Sequence, residues 1–334
     1  MSQIEFLKSN LSPIVKKTSL ASLLGLSVEQ LDEISANVED YWKQGKVLVK
    51  KDGEPRVTND AKPILKRIHS KINTRILKKV TFPDYVNGGI PKRSITNNAE
   101  IHCQSTTVIT EDIANFFPSI NTKIVFGIWK FFFNFSPEVA ELLTKLTTYQ
   151  DSVPQGWQTS SYIANLVFWN AEPKLVKQLQ AKGISYSRFM DDICVSSKVK
   201  LDSDDKTFII SKIYTMLFSK GFKPKRSKHE IMPENSSKMI TSLNINNKKP
   251  TVSRTERRNV KAAINNLKLR FFLEANTLDY CIEWRSLSGK VSRISQYHAT
   301  LGGKLRIVLD EIKPPKSCLH SKKKKKVGCT VTTL

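Results

Sequence analysis

Tyr186-Ser187-Arg188-Phe189-Met190-Asp191-Asp192-Ile193-Cys194-Val195-Ser196 consists of two short apolar arms that meet at a pair of adjacent aspartates. β-Branched and aromatic residues in both arms predict strands, and the tight centre predicts a hairpin presenting Asp191 and Asp192 at or beside its turn. Two neighbouring carboxylates on a rigid turn repel each other unless something positive sits between them, which makes a divalent metal site the candidate. The bland reading is a pair of solvated turn acids, and the rest of the chain decides between the two.

At 334 residues the chain is long enough for a substantial core and two or three subdomains. Its 40% hydrophobic and 25% charged residues exclude wholesale disorder. No apolar run approaches the roughly 20 residues that a membrane helix needs, since the richest, 126–135, is broken by Lys130. Met1 to Glu5 carry no basic start or long apolar segment, so the expectation is a cytoplasmic protein without a membrane partner. Cys103, Cys194, Cys281, Cys318 and Cys329 show no CxxC spacing and are expected to be free thiols. The 54 Lys and Arg against 30 Asp and Glu leave a net charge of +24, a field that concentrates polyanions, nucleic acid foremost.

Along the chain, leucines at helical spacing between Leu20 and Leu31 predict a helical lead-in, with Ser27 and Gln30 as a capping box. Asp52-Gly53 between Val47-Leu48-Val49 and Arg56-Val57-Thr58 predicts a hairpin. Ile64 to Leu77 mark an amphipathic helix whose opposite face carries Lys66, Arg67, Lys71, Arg75 and Lys78, either solvated surface or a contact for phosphates. Thr107 to Ile113 read as a buried strand ending in acid, followed by Phe116-Phe117. Residues 121–147 look helical, with Trp129, Phe131, Phe132 and Phe133 in the core. A Pro154-Gln155-Gly156 loop opens an apolar helix from Tyr162 to about Leu179, and its amides and Gln155 suit phosphate or base. Asp202 to Asp205 read as an acidic turn before a helix that Gly221 ends. A hairpin with Asn246 to Lys249 at its tip leads to a basic helical bundle reaching about Ile312, and Lys322 to Lys326 form a basic tail.

Asp112-Ile113-Ala114-Asn115-Phe116-Phe117-Pro118-Ser119-Ile120, Pro154-Gln155-Gly156-Trp157 and Phe189-Met190-Asp191-Asp192, in this order in a basic chain, resemble the palm motifs of reverse transcriptases. The resemblance extends over nearly the whole chain. Arg56 matches a basic residue of the family's fingers, Gly221 and Lys228 its Gly-plus-Lys element, and residues 239–246 its primer-grip hairpin. Within the family the likeness is to bacterial retron enzymes, because Asn98-Ala99-Glu100-Ile101-His102 matches their NAxxH signature. The chain departs from that pattern in carrying Ile240-Thr241-Ser242 for Val-Thr-Gly, Phe189 for the commoner Tyr and Met190 for Ala.

The resemblance implies an α+β right-hand polymerase fold with fingers, a palm built on an antiparallel sheet with helices, and a small helical thumb. The implied organisation is a helical lead-in at 1–45, fingers at 46–105, palm at 106–250 with finger insertions at 121–150, thumb at 251–315 and a disordered basic tail at 316–334. It implies RNA-directed DNA synthesis. Asp112, Asp191, the Ile113 carbonyl and the supporting Asp192 would hold two Mg²⁺ ions roughly 3.5–4 Å apart, with Mn²⁺ as a substitute. Arg56, Gln155 and Gly156 would meet the incoming dNTP, Phe117 would exclude a ribose 2′-hydroxyl, and Lys228 would protonate the leaving pyrophosphate. Asn98, His102, Thr241, Arg257, Arg258 and Lys261 are the implied RNA contacts. The implied partners are a structured non-coding RNA, its DNA product and an effector protein in antiphage defence. The alternatives are a defence-associated reverse transcriptase that primes or templates differently, an inactive RNA-binding protein, and an RNA-dependent RNA polymerase.

Overall fold

In the computed structural model, residues 7–49 and 55–315 are described, and they fall into two compact units, Met1–Thr241 and Ser242–Leu334. The first unit opens with β1 (Lys8–Ser9), α1 (Lys17–Leu24) and α2 (Val28–Ala36). The expected capping box is present, since Gln30 N–H donates to Ser27 Oγ at 3.1 Å and Ser27 N–H to the Gln30 side chain at 3.0 Å. β2 (Trp42–Val49) and β3 (Pro55–Ala61) then pair antiparallel, their connecting Asp52-Gly53 turn lying outside the described residues. On α3 (Pro63–Arg75), Leu65, Ile68 and Ile72 are buried. Part of its basic face works inside the protein: Lys71 Nζ and Arg75 Nη1 donate to the Leu24 and Leu23 carbonyls at 2.6 and 2.5 Å. Those carbonyls sit at the C-terminal end of α1, where helix carbonyls lack partners and cations are favoured.

The unit continues through β4 (Val80–Thr81), β5 (Val86–Asn87), α4 (Ile95–Glu100), β6 (Thr107–Asp112), α5 (Phe116–Ser119), α6 (Thr122–Gly127), α7 (Pro137–Thr147), α8 (Ser160–Leu166) and α9 (Glu172–Ala181). It closes with β7 (Ser185–Phe189), β8 (Asp192–Ser197), α10 (Ser203–Phe218), β9 (Glu230–Met232) and β10 (Met239–Ile240). Three expectations are corrected. The helix expected from Tyr162 to Leu179 is two helices, because Pro173 lacks an N–H and its ring crowds the preceding turn, so it serves at the start of α9. The acidic turn is the start of α10, whose N-cap Asp202 accepts from Asp205 N–H at 2.8 Å. Between α6 and α7 lies a π-helical turn, Ile128–Phe132, which buries Trp129 and leaves Phe131 exposed.

The central sheet has the order β5-β7-β8-β6-β9. It is antiparallel except that β5 runs parallel to β7, so the sheet is mixed rather than purely antiparallel. Register pairs Asp112 with Asp192, and Asp192 with Phe189. Alternation then sorts the side chains between two faces. Glu111, Arg188 and Ile193 share the face that meets helices, as the contacts of Arg188 with Glu172 on α9 and of Glu111 with Tyr214 on α10 establish. Asp112, Phe189 and Asp192 share the other face, together with Ser187 and Ser196.

On that second face His102 is fully buried, its Nδ1 and Nε2 each 2.7 Å from the hydroxyls of Ser196 and Ser187. The second unit starts with β11 (Leu243–Asn244), whose Asn244 exchanges backbone hydrogen bonds with Thr251 at 2.8 and 2.9 Å, closing the expected tip. It continues as α11 (Arg254–Glu274), α12 (Leu278–Tyr297) and α13 (Ala299–Glu311). Trp284 Nε1 and Tyr280 Oη on α12 donate to the Leu309 and Ile312 carbonyls, each at 2.8 Å. Cys103 and Cys194 are free, whereas Cys281 is disulfide-bonded, correcting the expectation of free thiols. No helix of the described residues is long and apolar enough to cross a membrane.

Burial lowers the imidazole of His102 to about 3 and that of His69 to about 4, so both are neutral in the fold. Their contribution to stability is complete above the unfolded value of about 6.5 and is lost as pH falls toward 3–4. Each should cost about 2 kcal/mol between pH 7 and pH 5. Urea unfolding of a His102→Gln variant should show about 2 kcal/mol less loss over that interval than the parent. Identical pH slopes would contradict the assignment.

Candidate active site

The hairpin closes in two residues, Met190 and Asp191, between the paired Phe189 and Asp192. Met190 has φ 59°, a left-handed conformation that costs a non-glycine residue energy unless its surroundings enforce it. They do. Arg188 Nη1 donates to the Met190 carbonyl at 3.1 Å, while Nε and Nη2 of the same guanidinium clasp Glu172 at 2.6 and 2.9 Å. Arg188 and Glu172 are buried, and Tyr186 Oη adds a 2.8 Å bond to the carboxylate. Arg188 also donates to the Asn165 carbonyl at 3.0 Å, and Asn165 Nδ2 donates to the Gly88 carbonyl at 2.9 Å, tying in the loop beside the turn. That loop must be bare: a Cβ on Gly89 would lie 2.5 Å from Ser161 and 3.0 Å from Met190, at a φ of 66°.

Asp112 ends β6 with its side chain buried, beside Asp192 on β8. Ile113 N–H donates to the Asp191 carbonyl at 3.1 Å, fixing the turn to the end of β6. Lys228 Nζ donates to Asp112 Oδ2, and the Lys225 amide donates to the Asp112 carbonyl at 2.7 Å. The Lys228 turn is held from behind by His229, whose Nδ1 is 2.6 Å from the buried Glu111 carboxylate. Burial raises Glu111, with the His229 bond opposing it. Burial also raises Asp191, and repulsion from Asp112 adds to it. The protein around Asp192, then the charge of Asp191 and the hydrogen bond to Asp112, push that carboxyl up to about 7, although one side of it stays open to solvent. The bond to Asp112 raises Lys228 and keeps it charged.

Among the described residues no three His, Cys, Asp or Glu side chains stand ready to enclose an ion, and the Lys228 ammonium rests against Asp112 instead. The chemistry of the donors still suits a hard divalent cation, since a carboxyl that burial and neighbouring negative charge push up to about 7 is relieved by positive charge.

The remaining expected residues disperse. Phe117, on α5, is half-buried and meets Phe116 edge-on at 5.7 Å. Gln155 is exposed in a turn that Gly156, at φ 93°, permits, while Trp157 beside it is buried, stacks on Trp42 and donates to the Asn59 carbonyl at 3.0 Å. The Arg56 side chain lies outside the described residues. Asn98 and His102 are buried, at 2% and 0% exposure. Thr241 Oγ1 donates to the Ile95 carbonyl at 3.2 Å. On α11 of the second unit, Arg258 and Lys261 are exposed and Arg257 is half-buried. Sequence reading missed Arg188, Glu172, Asn165 and the Glu111–His229 pair. A charged residue at an apolar strand position, Arg188, was the available signal.

A mixed sheet that gathers three aspartates and a lysine at one end, with helices on its opposite face, is the palm of a nucleotide polymerase. Residues 48–278 match the family described as reverse transcriptase (RNA-dependent DNA polymerase). The chain is 37% identical over 308 residues to the retron Se72 reverse transcriptase of Salmonella heidelberg (strain 579083-10), covering 91% of this chain and 81% of that protein. It is 31% identical over 322 residues to the retron Ec48 reverse transcriptase of Escherichia coli, covering 92% and 78%. With the Escherichia coli retron Ec86 reverse transcriptase it shares 25% over 264 residues, covering 78% and 80%. The chain therefore belongs to the reverse transcriptase family, as an RNA-directed DNA polymerase of retron type.

Removing Arg188 leaves the Glu172 carboxylate buried without its partner, a change that costs about 3–5 kcal/mol. Arg188→Met should lower the urea-unfolding free energy by that amount, and Arg188→Met/Glu172→Leu should recover most of it. A single variant as stable as the parent would show that the pair does not hold the turn.

Proposed function

We propose that Asp112, Asp191 and Asp192 are the metal-binding carboxylates of nucleotidyl transfer, and that the chain copies a dedicated structured non-coding RNA into DNA. The observation that carries this reading is the convergence of Asp112 and Asp192, as cross-strand partners, beside a turn that holds Asp191. Divalent cations bound there would lower the pKa of the primer 3′-hydroxyl and neutralise the triphosphate. The protein's own residues do the rest. Asp112 and Asp192 on strand ends, and Asp191 in the braced turn between them, orient the reacting groups. Lys228, charged and anchored through Glu111 and His229, gives a proton to the leaving pyrophosphate, and its acidity rises once the Asp112 carboxylate engages another cation. Phe117 stands five residues beyond Asp112 and serves as the barrier to a ribose 2′-hydroxyl, while Gln155 and Gly156 line the nucleotide. Arg257, Arg258 and Lys261 provide phosphate contacts. A role in antiphage defence with an effector protein belongs to the same reading, supported by the similarity to retron enzymes.

Primer extension on an RNA template with dNTPs and Mg²⁺ tests the assignment. Asp191→Asn should lower the extension rate by at least about 10³-fold, and chelation of divalent ions should abolish it. Phe117→Ala should raise the rNTP/dNTP ratio of kcat/KM by about 10- to 200-fold. Full activity of Asp191→Asn refutes the carboxylate assignment, and ready rNTP use by the parent refutes the gate. Sequencing the nucleic acid that co-purifies should return one structured RNA joined to its DNA copy, whereas repetitive or untemplated DNA would favour a different priming mode.

A further inference from the structure

The helical side of the palm carries a feature whose lining includes none of the three aspartates. Two adjoining clefts, of about 750 and 400 Å³, share Asn170, Ser219 and Lys220 as a common wall. The larger runs from the α6 and π-turn segment to the end of α10, and the smaller lies between α9 and α10. Lys123 and Lys220 line the first, and Lys174, Lys212 and again Lys220 the second, with no Asp or Glu in either lining. Elsewhere on this unit lysines find carboxylates, as Lys17 does with Asp32 at 2.9 Å, Lys145 with Glu141 at 3.0 Å and Lys182 with Asp205 at 3.5 Å. Among the described residues no ion pair forms at any of the four cleft lysines. Burial lowers Lys220, as befits an ammonium partly withdrawn from water with no counter-charge. The larger cleft also holds two aromatic rings, Trp169 and Phe131, the latter 63% exposed on the π-helical turn.

Strand alternation places these clefts away from the polymerase site. α9 and α10 cover the face that carries Glu111 and Arg188, whereas Asp112, Asp192 and Phe189 occupy the other. We propose that this groove is a second RNA site, which takes the phosphate backbone of a structured RNA on the lysines and stacks an unpaired base on Phe131 or Trp169. It rests on the reading that the chain carries a structured RNA, and it adds where a segment outside the primer–template path is held. A concave, aromatic-walled groove favours a nucleic-acid strand over a lipid surface, because a bilayer plane does not reach into a cleft, and rings give bases a face to stack on.

The test is a variant with Lys123, Lys174, Lys212 and Lys220 each changed to Gln, beside Phe131→Ala, both made in the full chain and checked for parental thermal unfolding. Transfer RNA serves as the structured probe, with phosphatidylglycerol vesicles and poly-glutamate as the competing anions. Four lost phosphate contacts should make the log–log salt dependence of transfer RNA binding shallower by about 3. Binding near physiological salt should weaken at least about tenfold, while extension of a short pre-annealed DNA primer on RNA stays at the parental rate. Phe131→Ala should weaken binding without changing the salt slope. Parental binding and slope in the quadruple variant overturn the proposal, as does an equal loss of short-duplex extension, which would place the groove on the primer–template path. Loss confined to vesicles or poly-glutamate also overturns it. A parent chain that extends primers but retains no structured RNA sinks the second site together with the structured-RNA reading, yet leaves the polymerase assignment standing.

Discussion

The bidentate contact between Arg188 and Glu172 is the constraint on which the turn between β7 and β8 depends. Taking both charges out of water is expensive, and the pair survives because the guanidinium donors have partners: Glu172 twice, the Asn165 carbonyl, the Asn165 side-chain oxygen and the Met190 carbonyl. Through the last of these, a left-handed turn that the chain would otherwise resist is held in one shape. The aspartate in that turn is thus positioned from beneath, by groups buried against the helical layer. Rigidity reaches the turn from the helical layer, through α9, rather than from the side on which Asp192 is open to solvent.

A second device balances charge at the same end of the sheet. Three carboxylates packed together would oppose folding, and Lys228 offsets part of that repulsion by resting on Asp112. His229 and Glu111, on the far side of the strand, hold the turn that carries this lysine. Adjacent residues on β6 therefore serve two layers: Glu111 anchors on the helical side, and Asp112 faces the cluster of carboxylates.

Much of this was legible in the residues. The arms around Asp191-Asp192 have the β-branched and aromatic content of strands, and the hairpin follows from them; the Ser27/Gln30 box and the left-handed Gly221 were readable because caps are local. The division of the 162–179 stretch was signalled by Pro173 but masked by the apolar residues that recur on both sides of it. Asn98 and His102 matched a family signature, yet a signature records which residues recur and not whether they face outward. His102 lies against two serines that only the strand pairing brings together. The Arg188–Glu172 pair spans 16 residues and a change of element, and no local pattern announces such a contact. Ranges that depend on long-distance packing, such as the start of the second unit at Ser242, are of the same kind.

The two-residue turn also sets what this chain can tolerate over time. Because successive strand residues point to opposite faces, inserting or deleting one residue in either arm would send Arg188 toward open solvent and drive an aspartate into the apolar layer against α9. Drift in length must therefore be confined to connections outside the hairpin. Within it, change can proceed only by substitution, and the spacing between the guanidinium and the carboxylates is inherited as a unit.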